Sequence, residues 1–212
     1  MGIIERKERE KEQRRNDIVD AAERVFLRKG FENTTVDDVA AEAELSKGTV
    51  YLYFKSKDEL HYAINLRAMQ KLNKIIRGVY DEKKDVVVNL EAMGNVFIKF
   101  AEEFRIYFEA ILHFNSKSLA NIEPCMTHDL LSDESPISFL VELIDKGKSK
   151  GEIRSDMNSI LIVELLWSQI MGVLQFVFYK QELFKMFNIT SEQVLTGLFE
   201  ILKNGVRKSL EK

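Results

Sequence analysis

The stretch Thr35-Val36-Asp37-Asp38-Val39-Ala40-Ala41-Glu42-Ala43-Glu44-Leu45-Ser46-Lys47-Gly48-Thr49-Val50-Tyr51-Leu52-Tyr53-Phe54-Lys55-Ser56-Lys57 decides the fold. Thr35 is placed to cap a helix, with Asp38 three residues on to close a reciprocal capping box. Val36, Val39, Ala40 and Ala43 then fall at i, i+3, i+4 and i+7, one face of a short helix. Glu44-Leu45-Ser46 turns the chain, and Ser46 caps a second short helix to about Phe54, anchored by Val50 and Phe54 at i and i+4. Ser56 and Glu59 form a further box that opens a longer helix to about Val79. Upstream, Ile18, Ala22, Val25 and Phe26 lie on one face of a helix from about Glu5 to Lys29, stopped by Gly30. Two short helices joined by a tight turn and braced on either side make a helix-turn-helix unit.

The second short helix has the chemistry of a surface that meets nucleic acid. Gly48, in its first turn, leaves room for close approach to a phosphate. Ser46, Thr49, Tyr51 and Tyr53 bring hydroxyls, which hydrogen-bond phosphates or base edges. Lys47, Lys55 and Lys57 cluster around its two ends, and a helix N-terminus itself attracts phosphate. The competing reading of the tyrosines is packing. Two tyrosines two residues apart point to different sides of a helix, so one can pack, and Tyr53 is the one expected on a phosphate. Residues 1–60 hold 12 Lys+Arg and 14 Asp+Glu, net −2, so affinity must come from placement of charge. The segment up to Arg15 has 6 basic and 4 acidic residues. It can reach phosphates or a minor groove, or be a solvated extension of the first helix.

The run from Phe26 to Leu60 resembles the DNA-binding region of the TetR family of bacterial transcriptional regulators. The matching pieces are G-F-x-x-T-T, V-A-x-x-A, S-K-G-T-V-Y-x-Y-F and K-S-K-x-E-L. The resemblance covers about the first quarter of the chain. It implies an all-helical homodimer with an N-terminal three-helix DNA-binding part and a larger C-terminal part for ligand and dimerisation. Carried over, it implies that Thr35 contacts phosphate, that Lys47, Gly48, Thr49 and Tyr51 face the major groove, and that Tyr53 and Lys57 grip the backbone. One position departs from the pattern. The family usually has Gly in the turn where this chain has Glu44, and a left-handed conformation there costs about 1 kcal/mol.

Beyond the charged run Asp81-Glu82-Lys83-Lys84-Asp85 the aromatics concentrate. Ten of the 14 Phe lie between Phe97 and Phe187. Met93, Val96, Phe97, Phe100, Phe104, Tyr107, Phe108 and Ile111 follow one helical stripe. Such a stripe is ordinarily core, but it can also wall a pocket for a small hydrophobic ligand. The candidate pocket residues are Phe100, Phe104, Phe108, Trp167 and Met171, relieved by His113, Glu164 and Gln175. His113 is equally readable as a satisfied core histidine. Glu164, Ser168 and Gln175 share one stripe and either line a cavity or meet polar groups across a dimer seam. Pro124 and Pro136 punctuate the next region, and Pro136 opens a helix to about Lys150 behind the cap Ser135. An apolar helix follows over 160–179, then a loop, then a last helix from the Thr190–Gln193 box to about Leu210. From the resemblance, those last two helices pair with their counterparts in a second copy, and Gly172, Gly197 and Gly205 allow close approach. The expected division is a DNA-binding part at 1–56, a connecting helix at 57–80 and a ligand-binding and dimerisation part at 81–212.

Composition trims the alternatives. The chain has 212 residues, a net charge of −3, one Cys and three His. One Cys excludes a disulfide framework and suits a reducing cytoplasm. His61, His113 and His128 have no paired ligand spacing, so no metal or cofactor is expected. No glycine-rich phosphate loop or Ser–His–Asp pattern points to an enzyme. Residues 1–15 lack the apolar core of a secretory signal. The segment 160–179 is long enough to span a bilayer, but Glu164, Gln169 and Gln175 interrupt it, and burial in protein is the better reading. The reading that emerges is a cytoplasmic, all-α, homodimeric regulator that binds a double-stranded DNA operator and is released by a small hydrophobic ligand. The alternative is a helical lipid carrier or adaptor without DNA-binding activity.

Overall fold

The computed structural model describes residues 2–114, 132 and 135–207. Among them the chain forms ten helices and no strand, apart from an isolated antiparallel bridge between Ile153 and Arg207. The helices are α1 Ile3–Lys29, α2 Val36–Glu42, α3 Lys47–Tyr51, α4 Lys57–Gly78, α5 Val86–Glu103, α6 Arg105–Leu112, α7 Pro136–Ser149, α8 Ser159–Tyr179, α9 Gln181–Met186 and α10 Ser191–Val206. The fold is all-α. The expected continuation of α10 to Leu210, together with Pro124 and His128, lies outside the described residues.

Side-chain caps set most of the boundaries. Thr35 accepts the Asp38 N–H while Asp38 accepts the Thr35 N–H, the reciprocal box of α2. Ser46 caps α3 through the Thr49 N–H at 3.0 Å. Ser135 with Pro136 opens α7, and Thr190 with Gln193 opens α10. Each cap satisfies donors that the first turn leaves without a partner. At the start of α4, Ser56 accepts the Glu59 N–H, and the Glu59 carboxylate reaches back to the Lys55 N–H at 2.6 Å.

Two compact units share the chain. The first takes residues 2–69 and 104–114. Its core joins Ile18, Ala22 and Val25 of α1, Val36 and Val39 of α2, Val50 and Phe54 around α3, Leu60 and Ile64 of α4, and Ala110 of α6. His61 is buried in it. Its Nε2–H donates to the Ala110 carbonyl at 3.0 Å, and its ring lies 4.2 Å from that of Phe31. Burial, only partly offset by that carbonyl, pulls its pKa down to about 4, so the imidazole is neutral at pH 7. Arg67 of α4 ties α1 in place through Asp20 at 2.5 Å, Glu23 at 3.1 Å and the Asn16 side-chain oxygen at 2.8 Å.

The second unit takes residues 70–103, 132 and 135–207, hence the end of α4 together with α5, α7, α8, α9 and α10. Helices α5 and α10 approach closely at Gly94, where a Cβ would stand 2.4 Å from the Phe199 ring. Helix α7 makes a similar approach at Gly147, against Ile153 and Val86.

Four sequence expectations are corrected. The phenylalanine stripe is not one helix: Phe104 adopts φ −115°, ψ 59°, which ends α5 and starts α6. Phe97 and Phe100 therefore belong to the second unit, and Phe104, Tyr107 and Phe108 to the first. Because Ala110 packs into the first core, with Ile106 and Tyr107 against it, the division between units does not fall at the charged run 81–85. The reading helix α3 ends at Tyr51 rather than Phe54, and Tyr53 and Phe54 both donate to the Val50 carbonyl at 3.0 Å in the turn that follows. The segment expected as a loop before Thr190 contains the short helix α9.

Candidate nucleic-acid interface

The turn between α2 and α3 is built on Glu44, whose φ is +55°. Around it the Ala43 N–H bonds to Val39 O at 2.9 Å and the Leu45 N–H to Ala40 O at 2.9 Å, closing the end of α2. A side chain thus sits where the backbone favours glycine. The geometry of the turn is kept and the strain expected from the sequence is present.

That turn presents α3 with one face in the core and the other outside. Val50 and Phe54 are 0% exposed. Ser46, Lys47, Gly48 and Tyr51 are exposed, and Thr49 is half-buried. A methyl at Gly48 would meet nothing closer than Ser46 Oγ at 3.7 Å, so the bare backbone there faces open space. Ser46 and Thr49 share a hydroxyl–hydroxyl bond of 2.8 Å. The two tyrosines separate, Tyr51 as the last residue of α3 and Tyr53 in the turn that follows. Tyr51 is 39% exposed, whereas Tyr53 packs against the core of the first unit. This reverses the weighting the sequence favours, because α3 ends before Tyr53 and the turn swings its ring inward.

Two expected phosphate contacts already have protein partners. The Thr35 hydroxyl is engaged by Asp38 at 2.9 Å. Lys57 Nζ donates to the carbonyls of Phe31 at 3.1 Å and Glu32 at 3.2 Å, over the Phe31 ring. These contacts leave Lys57 one of its three N–H donors.

The net charge of residues 1–60 stays at −2, but the carboxylates of α2 are held in pairs, which the sequence count does not reveal. Asp37 meets Lys47 at 2.7 Å, Asp38 meets Lys29 at 2.6 Å, and Glu42 holds both Arg24 at 2.7 Å and Arg28 at 2.8 Å. The Lys29 hydrogen bond, with those from Thr35, draws the Asp38 pKa down to about 2. Hydrogen bonds from Arg24 and Arg28 lower that of Glu42, and the bond to Asp37 raises that of Lys47. The carboxylates of α2 are thereby neutralised locally.

The second unit holds an apolar cavity of about 90 Å³, walled by Leu72 and Ile76 of α4, Phe97 of α5, Trp167 and Ile170 of α8 and Phe199 of α10. Trp167 stacks on Phe97 with ring centres 5.0 Å apart. Charge enters the lining at Glu91 and Lys203, which pair at 3.2 Å. Of the residues expected in such a pocket, Trp167 lines it. Phe100 is buried against Phe97 and Met171 is buried in α8, and neither lines it. Phe104, Phe108 and His113 belong to the first unit. There Phe108 is core, Phe104 stacks on Tyr107, and the exposed His113 faces Glu109 at 3.1 Å. His113 is thus neither a pocket residue nor a core histidine. Glu164, Ser168 and Gln175 are exposed on the outer face of α8.

Residues 18–64 match the family described as bacterial regulatory proteins, tetR family. The HTH-type transcriptional regulator YfiR of Bacillus subtilis is 52% identical over 50 residues, 24% of this chain and 24% of its own length. The HTH-type nicotine-responsive transcriptional repressor HdnoR of Paenarthrobacter nicotinovorans is 38% identical over 73 residues, 34% of this chain and 38% of its own length. The chain thus spans about a quarter and about two fifths of these two relatives. A crystal structure of a TetR family transcription regulator from Marinobacter aquaeolei VT8 superposes with a TM-score of 0.66 over 95% of this chain and 100% of that one, at 19% identity. That likeness extends the shared fold to both units. Residues 18–64 form a tetR-family helix-turn-helix region.

Proposed function

We propose that the protein is a sequence-specific DNA-binding transcriptional regulator, a homodimeric repressor that leaves its operator when a small hydrophobic ligand fills the cavity of the second unit. The observation that carries the DNA-binding reading is the division of α3, which buries Val50 and exposes Lys47, Gly48 and Tyr51. An exposed helix of this composition, held on a rigid core, suits the major groove. It favours this reading over a hydrophobic-ligand carrier, which would have no use for it.

Support for a ligand comes from the apolar wall of the cavity and from HdnoR, a repressor described as nicotine-responsive. Helix α4 is uninterrupted, with Leu72 and Ile76 in the cavity wall and Leu60 and Ile64 in the first core. A ligand that displaces the wall would shift α4 and change the separation of two reading helices, which must match half-sites about 34–36 Å apart. Support for the dimer comes from Leu161, Leu165 and Phe176 on α8 and Ile201 on α10, all exposed in the single chain. Helix α8 is long and apolar enough to cross a membrane. A second copy is the better cover, because Glu164 on that face would cost about 2.5–3.5 kcal/mol at bilayer depth. The protein is assigned to the cytoplasm, with no cofactor and no catalytic role.

The test is selection of binding sites from random duplex DNA with purified protein. Enrichment of a two-fold symmetric sequence is expected. Recovery of no preferred sequence would overturn the proposal. Ligand control is tested by thermal shift and operator release across a panel of apolar compounds.

A further inference from the structure

Helix α1 is longer than its core contacts require. Buried positions begin at Ile18, while residues 4–14 are exposed. From Ile3 to Arg14 the helix runs about 18 Å. At about 100° per residue, Ile18, Ala22 and Val25 define its core-facing side. Extended toward the N-terminus, that side carries Ile4 near the helix start and then Lys7, Lys11 and Arg14, with Arg15 beside them. Glu8 borders this arc, in line with the buried Phe26 and three residues from Lys11, and Glu12 falls further round the helix. One side of α1 is thus apolar where the core covers it and basic where it emerges.

Pairing separates this stripe from its surroundings. Arg6 pairs with Glu10 at 2.7 Å, and Glu5 accepts the Gly2 N–H at 3.0 Å. Among the described residues no carboxylate lies within ion-pair distance of Lys7, Lys11 or Arg14. Like charges at i, i+4 and i+3 on a helix repel, so a stripe kept this way calls for an external polyanion. Its direction is fixed by Arg15, whose guanidinium lies 4.9 Å from the centre of the Phe54 ring, just beyond the end of α3 and next to Lys55. The stripe therefore emerges on the flank of the first unit where α3 is presented.

We propose that Lys7, Lys11 and Arg14 form an arm that binds DNA phosphates outside the sequence read by α3, adding about 18 Å, or roughly five base pairs, of flanking duplex to each half-site. The inference rests on the DNA-binding reading of α3. An anionic membrane is the less suitable partner, because the segment offers only Ile3 and Ile4 as apolar side chains, too few to bury a face in lipid.

The test uses the full-length chain and the triple variant K7Q/K11Q/R14Q, with K55Q as a second cation change close to α3. Affinity for the selected operator is measured from 50 to 200 mM salt, on duplexes ending at the half-site edge and on duplexes six base pairs longer at each end. For the unmodified chain, the longer duplex should bind more tightly and show a steeper salt dependence. The triple variant should lose both differences, its slope on the longer duplex falling by about three units per protomer, while its preference for operator over scrambled sequence is kept. K55Q should retain the advantage of the longer duplex. Equal slopes for the triple variant and the unmodified chain would overturn the arm, even with α3 reading its site. So would binding of anionic phosphatidylserine vesicles that the triple variant loses while its DNA binding is unchanged. Failure of the unmodified chain to prefer any sequence would overturn the reading of α3 itself, a distinguishable result.

Discussion

The ammonium of Lys57 stands 4.5 Å from the centre of the Phe31 ring and donates to the Phe31 carbonyl at 3.1 Å. One side chain of α4 thereby closes the turn between α1 and α2. Lys57→Ala should lower the stability of the first unit by about 1–2 kcal/mol, from a lost charged hydrogen bond and a lost cation–π contact at a half-buried site. Operator and scrambled DNA should be bound more weakly in equal proportion. Melting curves alongside titrations check this, and an unchanged melting temperature would show that the contact stabilises nothing.

Glu44 holds a left-handed backbone with a side chain. Glu44→Gly should relieve the strain and stabilise the protein by about 0.5–1 kcal/mol, with operator preference retained. Denaturant unfolding is the measurement. A variant less stable than the natural chain would mean that the Glu44 side chain contributes more than its conformation costs.

Tyr51 and Tyr53 should fail in different ways. Tyr51→Ala, at an exposed position, should melt normally and lose about 1–3 kcal/mol on the preferred operator. Tyr53→Ala should lower the melting temperature. Gly48→Ala should also fold normally, since 3.7 Å separates its new methyl from Ser46 Oγ, yet bind operator poorly because backbone approach is blocked. Equal instability of the Tyr51 and Tyr53 variants would move the reading face elsewhere.

Gly94 and Gly197 form a second contrasting pair. A Cβ at Gly94 would clash with Phe199 at 2.4 Å, whereas nothing lies within 4 Å of one at Gly197. Gly94→Ala should destabilise the second unit by about 1–3 kcal/mol. Gly197→Leu should leave the protomer folded and weaken its self-association in sedimentation. A natural chain that sediments as a monomer at micromolar concentration defeats the dimer.

His61 predicts a pH dependence. Burial puts its folded pKa at about 4, below the ordinary 6.5. Between those values the unfolded chain binds a proton that the folded one refuses, so stability falls as pH drops from about 6.5 to about 4 and then levels off for this group. The total is on the order of 3 kcal/mol. His61→Gln should flatten that window, as read from unfolding free energies at fixed pH steps.

Where local chemistry sets a boundary, the sequence is readable. Thr35 with Asp38, Ser46, Ser135 with Pro136 and Thr190 with Gln193 all cap the helices their spacing announces. Where tertiary packing sets it, the sequence is silent. No Pro or Gly marks the break at Phe104, and helical spacing continues through it unaltered. Lys57 reads as a free cation because its partners, the Phe31 and Glu32 carbonyls, lie 26 and 25 residues away. Gly94 bears no local sign of the ring of Phe199. The pocket suffers most. Trp167 is recognisable from the aromatic pattern, but Phe104, Phe108 and His113 are assigned to the other unit by a single non-helical residue.

The chain enters its first unit twice, over residues 2–69 and again over 104–114. Anyone grafting this reading head onto a different sensor therefore faces two splices, not one. A cut made within α4 beyond His61 would discard Ala110, the acceptor that keeps His61 satisfied, and leave a buried imidazole without its partner. Modular exchange in such a protein requires α6 to travel with the head it supports.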